Sequence, residues 1–255
     1  MNTLSVVIIT LNEEQKIARC LDSVAPIADE IIVVDSFSTD ATEEICRRYD
    51  KLTFVKHAWE GYTAQKNFAN SLATCDLIFS IDADEVLSPQ LTDAIMNVKN
   101  KPLTDKAFSM NRLMNYCGQW IHHGGWYPDT KLRLFVNGKA RWVGEKVHET
   151  LQLDDGIKVE HLDGDMLHYS FYSVEEHRRQ IEKYATLSAE ELASKGVKKS
   201  IFAAYSHAVW RFIRDYFFKA GFLDGKNGYI ISKINTYGVL YKYKVLYKYN
   251  NSKEQ

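Results

Sequence analysis

Asp82 and Asp84 stand two positions apart at the end of the apolar run "LIFSI", with Glu85 directly after them. Aspartates in D-x-D spacing present hard oxygen donors suited to Mg²⁺ or Mn²⁺, and a cation held this way can also take a diphosphate. Carboxylates gathered so closely are unfavourable unless positive charge compensates them. A second apolar run, "IIVV", ends in Asp35. A plainer reading stays open: "DADE" also suits a solvated strand-to-helix turn, with one aspartate capping the helix that starts at "SPQL". Of the three acids after "LIFSI", Asp82 and Asp84 are the site candidates. Glu85 reads as a support of the turn or the start of the next helix.

These side chains need a scaffold that brings strand ends together. "LSVVIIT" is a short β-branched run suited to a strand covered on both faces. "NEEQKIARCLDSV" follows with Ile17, Ala18, Leu21 and Val24 at helical spacing and Asn12 as a candidate N-cap. "DEIIVVDS" is a second strand, and "STDATEEICRRY" a helix that Ser38 or Thr39 could cap. "LTFVKH", "GYTAQKNFANSLAT" and "CDLIFSIDAD" continue the alternation, and "SPQLTDAIMNVKN" adds a helix. Strand and helix alternating at this spacing predict right-handed crossovers and a parallel sheet that binds ligands at its carboxyl ends. Residues 107–167 change to short strands and turns, which predicts an antiparallel extension or a mixed sheet. From Val174 the pattern is helical. The expected organisation is therefore a catalytic domain at 1–172 with a helical region at 173–255.

Bulk properties narrow the function classes. The 255 residues are 45% hydrophobic, enough for a sizeable core. A net charge of -1 points away from nucleic acid. Cys20, Cys46, Cys75 and Cys117 are scattered without a C-x-x-C pair, which reads as reduced thiols of a cytosolic protein. No export signal precedes "LSVVIIT", and no segment is apolar for long enough to span a bilayer. The expected location is the cytoplasm, with the inner face of the cytoplasmic membrane as an alternative.

Taken in order, "VVIITLNEE", "IIVVDSFSTDAT", "AQKNFA" and "SIDADE" resemble the family 2 glycosyltransferases of GT-A fold. That fold is an α/β, Rossmann-like mixed sheet that binds nucleotide-diphospho sugars, here with a C-terminal helical appendage. The resemblance divides 1–172 into a nucleotide-binding part, about 1–100, and an acceptor part, about 101–172. "KVHE", "LHYSF" and "GFLDGKNGYIISK" look like a narrower bacterial subgroup, the glucosyltransferases of the lipopolysaccharide inner core. The resemblance implies that Thr10, Asn12 and Glu14 border the nucleotide pocket, that Asp35 lies near the base or ribose, and that Lys66 lies near the diphosphate. It makes Asp82 and Asp84 the metal and nucleotide-sugar motif, with Asp84 the more direct ligand. A histidine late in the chain, His168, would complete a shell for Mn²⁺ or Mg²⁺, with His161 and Asp165 nearby as competitors and a satisfied core histidine as the plainer reading. Two departures stand out. Many relatives carry Tyr where Leu11 sits, stacking on the base, and a second Asp where Ser36 sits, contacting uracil.

An inverting transfer also needs a base on the acceptor hydroxyl. "WVGEKVHETL" offers Glu149, which the subgroup resemblance places on the acceptor side, with Glu145 in reserve. His148 could orient that base or touch the acceptor, or be a structural histidine. "YCGQWIHHGGWYPDTKLRLF" suits an acceptor loop: Trp120 and Trp126 offer faces for sugar C–H groups and Arg133 a polar contact. The expected partners are a nucleotide-sugar donor, a UDP-sugar first, and a lipid-linked glycan acceptor such as lipopolysaccharide core. The expected transfer is of a hexose, glucose first. Aromatic and basic residues mixed in the last third suit contact with an anionic membrane, a core-facing stripe, or an oligomer interface. The competing functions are a nucleotidyltransferase, although "TLNEEQK" lacks that class's glycine-rich loop, and a non-catalytic nucleotide-sugar-binding protein.

Overall fold

The computed structural model describes residues 1–102, 105–144, 149–198 and 200–252. The chain begins β1 (Leu4–Thr10), α1 (Ile17–Val24), β2 (Glu30–Asp35), α2 (Thr42–Cys46), β3 (Leu52–Lys56), α3 (Tyr62–Ser71), β4 (Leu77–Asp82). It continues β5 (Glu85–Leu87), α4 (Pro89–Lys99), β6 (Lys106–Tyr116), β7 (Gln119–Ile121), β8 (Asp129–Val136), β9 (Ala140–Val143), β10 (Thr150–Leu153) and β11 (Lys158–Phe171). Helices α5 (Val174–Ser194), α6 (Ile201–Ile213) and α7 (Gly225–Ser252) follow, with a π-helical turn at Arg214–Phe218 and a 3₁₀ turn at Gly221–Asp224. Two compact units result. One joins Met1–Arg112 to Asp129–His168, and the other joins Leu113–Pro128 to Tyr169–Gln255.

In the first unit β1 pairs in parallel with β2 and β4, and β2 with β3. Beyond β4 the sheet turns antiparallel through β8 and β6, and β11 pairs antiparallel with β5. The order is β3-β2-β1-β4-β8-β6-β11-β5. This is the mixed sheet expected from the change of pattern after residue 107. Strand side chains alternate between faces, so the β-branched runs feed two cores. Val6, Ile8, Val33 and Phe79 pack with Ile17 and Leu21 of α1 and Leu91 and Ile95 of α4. Val7, Ile32, Val34 and Ile78 pack with Ala69 of α3 on the other face. Fully burying each such side chain contributes roughly 1.5–3 kcal/mol.

Local expectations need three corrections. Asn12 does not cap α1. A turn over residues 13–16 intervenes, and Lys16 holds the cap position. Ala41, not Ser38 or Thr39, precedes α2, where Asp40 accepts from the Thr42 N–H and hydroxyl. Glu85 opens β5 rather than a helix. Ser88 caps α4 by accepting from the Leu91 N–H, with Pro89 in the first turn. Ser88 also accepts from the Asp165 N–H of β11 at 3.0 Å. Gly164 lets β11 come this close: with φ +96, a Cβ there would lie 2.4 Å from the Leu91 nitrogen. The register this secures sets His168 opposite Glu85.

In the second unit β7 pairs with the end of β6, and Tyr116, Trp126, Phe171 and His177 form an aromatic cluster. Ser173 and Glu176 close a capping box at the start of α5. Asp224 is buried and accepts the backbone N–H groups of His122 and His123. His177 is 2% exposed, and burial pushes its pKa down to about 4. The unfolded chain therefore binds a proton that the folded chain resists between about pH 6.5 and 4. Stability should fall through that window as pH drops, by about 3 kcal/mol for a shift of this size. Urea midpoints from pH 7 to 4 should slope steeply for the wild type and less for His177→Gln. Parallel slopes would remove His177 from the acid sensitivity.

Candidate active site

The registers bring three carboxyl ends to one edge. Thr10 of β1 stands opposite Asp35 of β2, and Ile9 opposite Asp82 of β4. Strand order reverses across β1, which has β2 on one side and β4 on the other. Such a switch point opens a crevice at the carboxyl ends of an α/β sheet.

The loops after β1 and β2 are stitched together. Asn12, at φ 55, donates its N–H to Ser38 Oγ at 2.7 Å and accepts from the Thr39 N–H at 2.8 Å. Glu14 accepts from the Ala41 N–H at 3.0 Å. Asp35 is fully buried. It accepts from the Ser38 N–H at 2.8 Å and from the Ser38 hydroxyl, so its side chain holds its own turn. Thr10 Oγ1 is buried with no hydrogen-bond partner among the described residues. Phe37 takes φ 62 and is 57% exposed, and Leu11, on the other stitched loop, is half exposed. A bulky side chain at positive φ is strained.

Three consecutive residues of α3 reach different parts of this edge. Gln65 donates to Ser36 Oγ at 3.0 Å. Asn67 donates to the Trp142 carbonyl and accepts from the Trp142 N–H. Lys66, only 4% exposed, puts Nζ 3.0 Å from Asp82 Oδ1 and 3.6 Å from Glu149 Oε1, over the Trp142 ring at 4.6 Å.

The cluster at "DADE" is compensated by the chain's own cations. Arg133 Nη2 donates to Asp82 Oδ2 at 2.7 Å and lies 3.5 Å from Glu85 Oε1. Arg112 lies 3.3 Å from Glu85 and 2.8 Å from Asp129. Glu85, with no exposed surface, also accepts the Asp82 N–H at 3.0 Å. Asp84 Oδ2 sits 3.0 Å from His168 Nε2 and 3.9 Å from Lys16 Nζ. Burial alone would raise the Asp82 carboxyl, but the charges of Arg133 and then Lys66 hold it well below the usual carboxylate range. Asp84 is likewise held low, with His168 opposing the effect of burial. Burial pushes Arg133 down, and Asp82 and Glu85 outweigh it, so that guanidinium stays firmly charged.

Several expected site residues thus meet: Lys66, Asp82, Asp84, Arg133, Glu149 and His168. Arg133, expected on the acceptor loop, lies instead against Asp82. Trp126 packs in the aromatic cluster of the second unit, and Trp120 lies edge-on to Tyr169 there. Glu145 and His148 fall outside the described residues. Sequence reasoning passed over Lys16, Phe37, Asn67, Arg112 and Trp142. Lys16 in "LNEEQK", Phe37 in "VDSFSTD", Asn67 in "AQKNFA" and Trp142 in "WVGEKVHETL" lie within or beside motifs that carry the family resemblance or the candidate base, whereas nothing in the sequence around Arg112 marks it.

The glycosyl transferase family 2 model matches residues 5–105. An uncharacterised glycosyltransferase of Rickettsia typhi is 32% identical over 253 residues, spanning 92% of this chain and 83% of that protein. The chain belongs to glycosyltransferase family 2. Its α/β mixed sheet is the GT-A fold expected of the family. The lipopolysaccharide core biosynthesis glycosyltransferase LpsC of Rhizobium meliloti is 29% identical to this transferase over 237 residues, 89% of this chain and 85% of LpsC. A structure of glucosyl-3-phosphoglycerate synthase from Mycobacterium tuberculosis, with Mn²⁺, UDP and glucosyl-3-phosphoglycerate, superposes on 45% of this chain and 44% of its own, with 23% identity and a TM-score of 0.37. So partial a superposition supports no residue role.

The donor set of this glycosyltransferase meets a divalent cation in part. Among the described residues no three His, Cys, Asp or Glu side chains form a metal-holding group. The expected trio of Asp82, Asp84 and His168 is not assembled, because Lys66 and Arg133 engage both oxygens of Asp82. Asp84 and His168 do come together, and a carboxylate with an imidazole fits Mn²⁺ as a two-residue partial shell.

Proposed function

We propose that this glycosyltransferase moves a hexose, glucose first, from a nucleotide-diphospho sugar to a lipid-linked surface glycan of the lipopolysaccharide-core type, with inversion. The observation that carries the reading is Lys66 Nζ lying between Asp82 Oδ1 and Glu149 Oε1. One buried cation joins the D-x-D motif to the acid proposed as base. Glu149 takes the proton of the acceptor hydroxyl as that oxygen bonds to the anomeric carbon. The bond from that carbon to the diphosphate breaks, and its electron pair leaves with the nucleoside diphosphate. Lys66 and Arg133 lie ready where that negative charge collects, and preorganised charge of this kind stabilises a transition state. Asp82 holds both cations in place. Asp84 and His168 would hold a divalent cation, which when bound supplies Lewis-acid neutralisation of the diphosphate. Phe37 and Leu11 offer an apolar face for the base, standing in for the stacking Tyr that Leu11 replaces. The acceptor's lipid requires the enzyme to work at a membrane surface, on the inner face of the cytoplasmic membrane. No helix among the described residues is long and apolar enough to cross one.

A ligand that binds the folded state raises its melting temperature. Thermal shifts across nucleotide-diphospho sugars, with and without Mn²⁺, should single out one donor, with UDP-glucose the first expected. Phe37→Ser should weaken that donor by about tenfold, given roughly 1–3 kcal/mol for stacking one base on an aromatic ring. If no nucleotide sugar shifts the wild type, the reading fails. An unchanged affinity in Phe37→Ser would remove that residue from the base site.

A further inference from the structure

Helix α6 has its large and small residues the wrong way round for a soluble protein. Its buried positions include Ala204 and Ala208, and it packs on α7. Its exposed positions carry Phe202, Val209 and Trp210, with Phe202 80% exposed. The π-helical turn that follows adds a residue to its turn and extends this face. It turns Asp215 inward, where Arg211 and Arg214 pair with it at 2.5 and 2.8 Å. Phe217 and Phe218 are left outward, 57% and 72% exposed, and Leu223 follows on the 3₁₀ turn. Single exposed apolar residues need no explanation, but a run of large ones over an alanine-lined buried side does.

Charge selects the occupant. Residues 200–252 hold two arginines and six lysines against only Asp215 and Asp224. Both aspartates are buried, 1% and 5% exposed. Lys219 follows Phe218 directly in the chain, Lys226 lies in the first turn of α7 just after the 3₁₀ turn, and both are exposed. The face therefore presents apolar rings rimmed by positive charge, while the chain as a whole carries -1. A symmetric pairing of this face with a second copy would set like charges against each other. An anionic bilayer surface satisfies both parts: the rings enter the headgroup boundary and the lysines meet lipid phosphates.

We propose that the outward face of residues 202–226 docks this transferase on an anionic lipid surface, with Phe217 and Phe218 as the inserted anchors. This deepens the reading of a lipid-linked acceptor and rests on it for its purpose, not for its geometry.

The test is co-sedimentation of the full chain with vesicles of phosphatidylcholine, with and without phosphatidylglycerol, at low and high salt. Wild type should pellet only with phosphatidylglycerol present, and less at high salt. Phe217→Ser/Phe218→Ser should lose binding on the order of tenfold or more, from the apolar area removed. Lys219→Glu/Lys226→Glu should lose the salt-sensitive part. Both variants should keep the wild-type melting temperature and the donor-induced shift. Failure of the wild type to bind phosphatidylglycerol vesicles, or equal binding by the phenylalanine variant, would overturn the proposal. So would a wild-type dimer in sedimentation equilibrium that the phenylalanine variant breaks without any vesicle binding. Absence of a donor shift in the wild type would instead fail the active-site reading and leave the lipid result standing.

Discussion

Replacing Glu149 by Gln should lower kcat by about 10²–10⁴-fold, the usual contribution of a general base, with the donor KM little changed. Glutamine keeps the shape and can still accept a hydrogen bond, but it cannot take the acceptor proton. The donor KM is the discriminating readout, because Lys66 sits 3.6 Å from Glu149 and contacts Asp82 independently. A base contributes to the transition state and leaves ground-state donor binding intact, so kcat and kcat/KM should fall together. Steady-state transfer assays on the wild type, Glu149→Gln and Glu145→Gln decide it. Glu145→Gln should stay near wild type. Near-normal turnover in Glu149→Gln, or a loss that appears in Glu145→Gln instead, would refute the assignment.

The largest expected effect on stability is at Arg133. Arg133→Met removes the guanidinium that pairs with Asp82 and lies near the wholly buried Glu85. Breaking a buried pair by removing one partner typically costs about 3–5 kcal/mol, because the remaining charge stays buried and uncompensated. At about 2–4 °C per kcal/mol for a chain of this size, the first unit should melt roughly 6–20 °C lower. The pH dependence gives the sign. The folded-state pKa of Asp82 is lowered, so the stability that its partners confer is fully present above its unfolded value of about 4 and is lost as pH falls further. The gap between wild type and Arg133→Met should therefore narrow below about pH 4. Glu85→Gln in the Arg133→Met background should recover part of the loss. Calorimetry and urea unfolding of the set check it, and a gap that stays constant on acidification would show that charge is not the cause.

Arg133 also shows where sequence reading stops. Its neighbours in the chain belong to an aromatic, glycine-bearing loop, and it was expected to serve that loop's acceptor role. Yet β8 pairs antiparallel with β4, and that register carries Arg133 into the acidic cluster. Asn12 misled for a related reason. Next to a helical pattern it looks like a cap, and its true partners, Ser38 and Thr39, are 26 and 27 residues away. Local pattern alone does not separate Lys66 from a solvated helix lysine, and only the family resemblance of "AQKNFA" marks it. Only the packing of α3 under Trp142 buries it beside two carboxylates.

Local sequence pattern was not enough for the short strands β5 and β7, but it was enough for the strands of the parallel half of the sheet, most of the helices and the acidic strand ends. Those depend on local patterns: β-branched runs, 3.6-residue spacing, and aspartates placed where an apolar segment stops. Motif order also sufficed for the family. The tertiary structure alone decided how the acids are neutralised. "FSIDADEVL" implies a compensating cation without saying which. The fold supplies Arg133 and Lys66 to Asp82, Arg112 and Arg133 to Glu85, and His168 and Lys16 to Asp84. Those partners come from five separate stretches of chain, and long-range pairing leaves no trace in local periodicity.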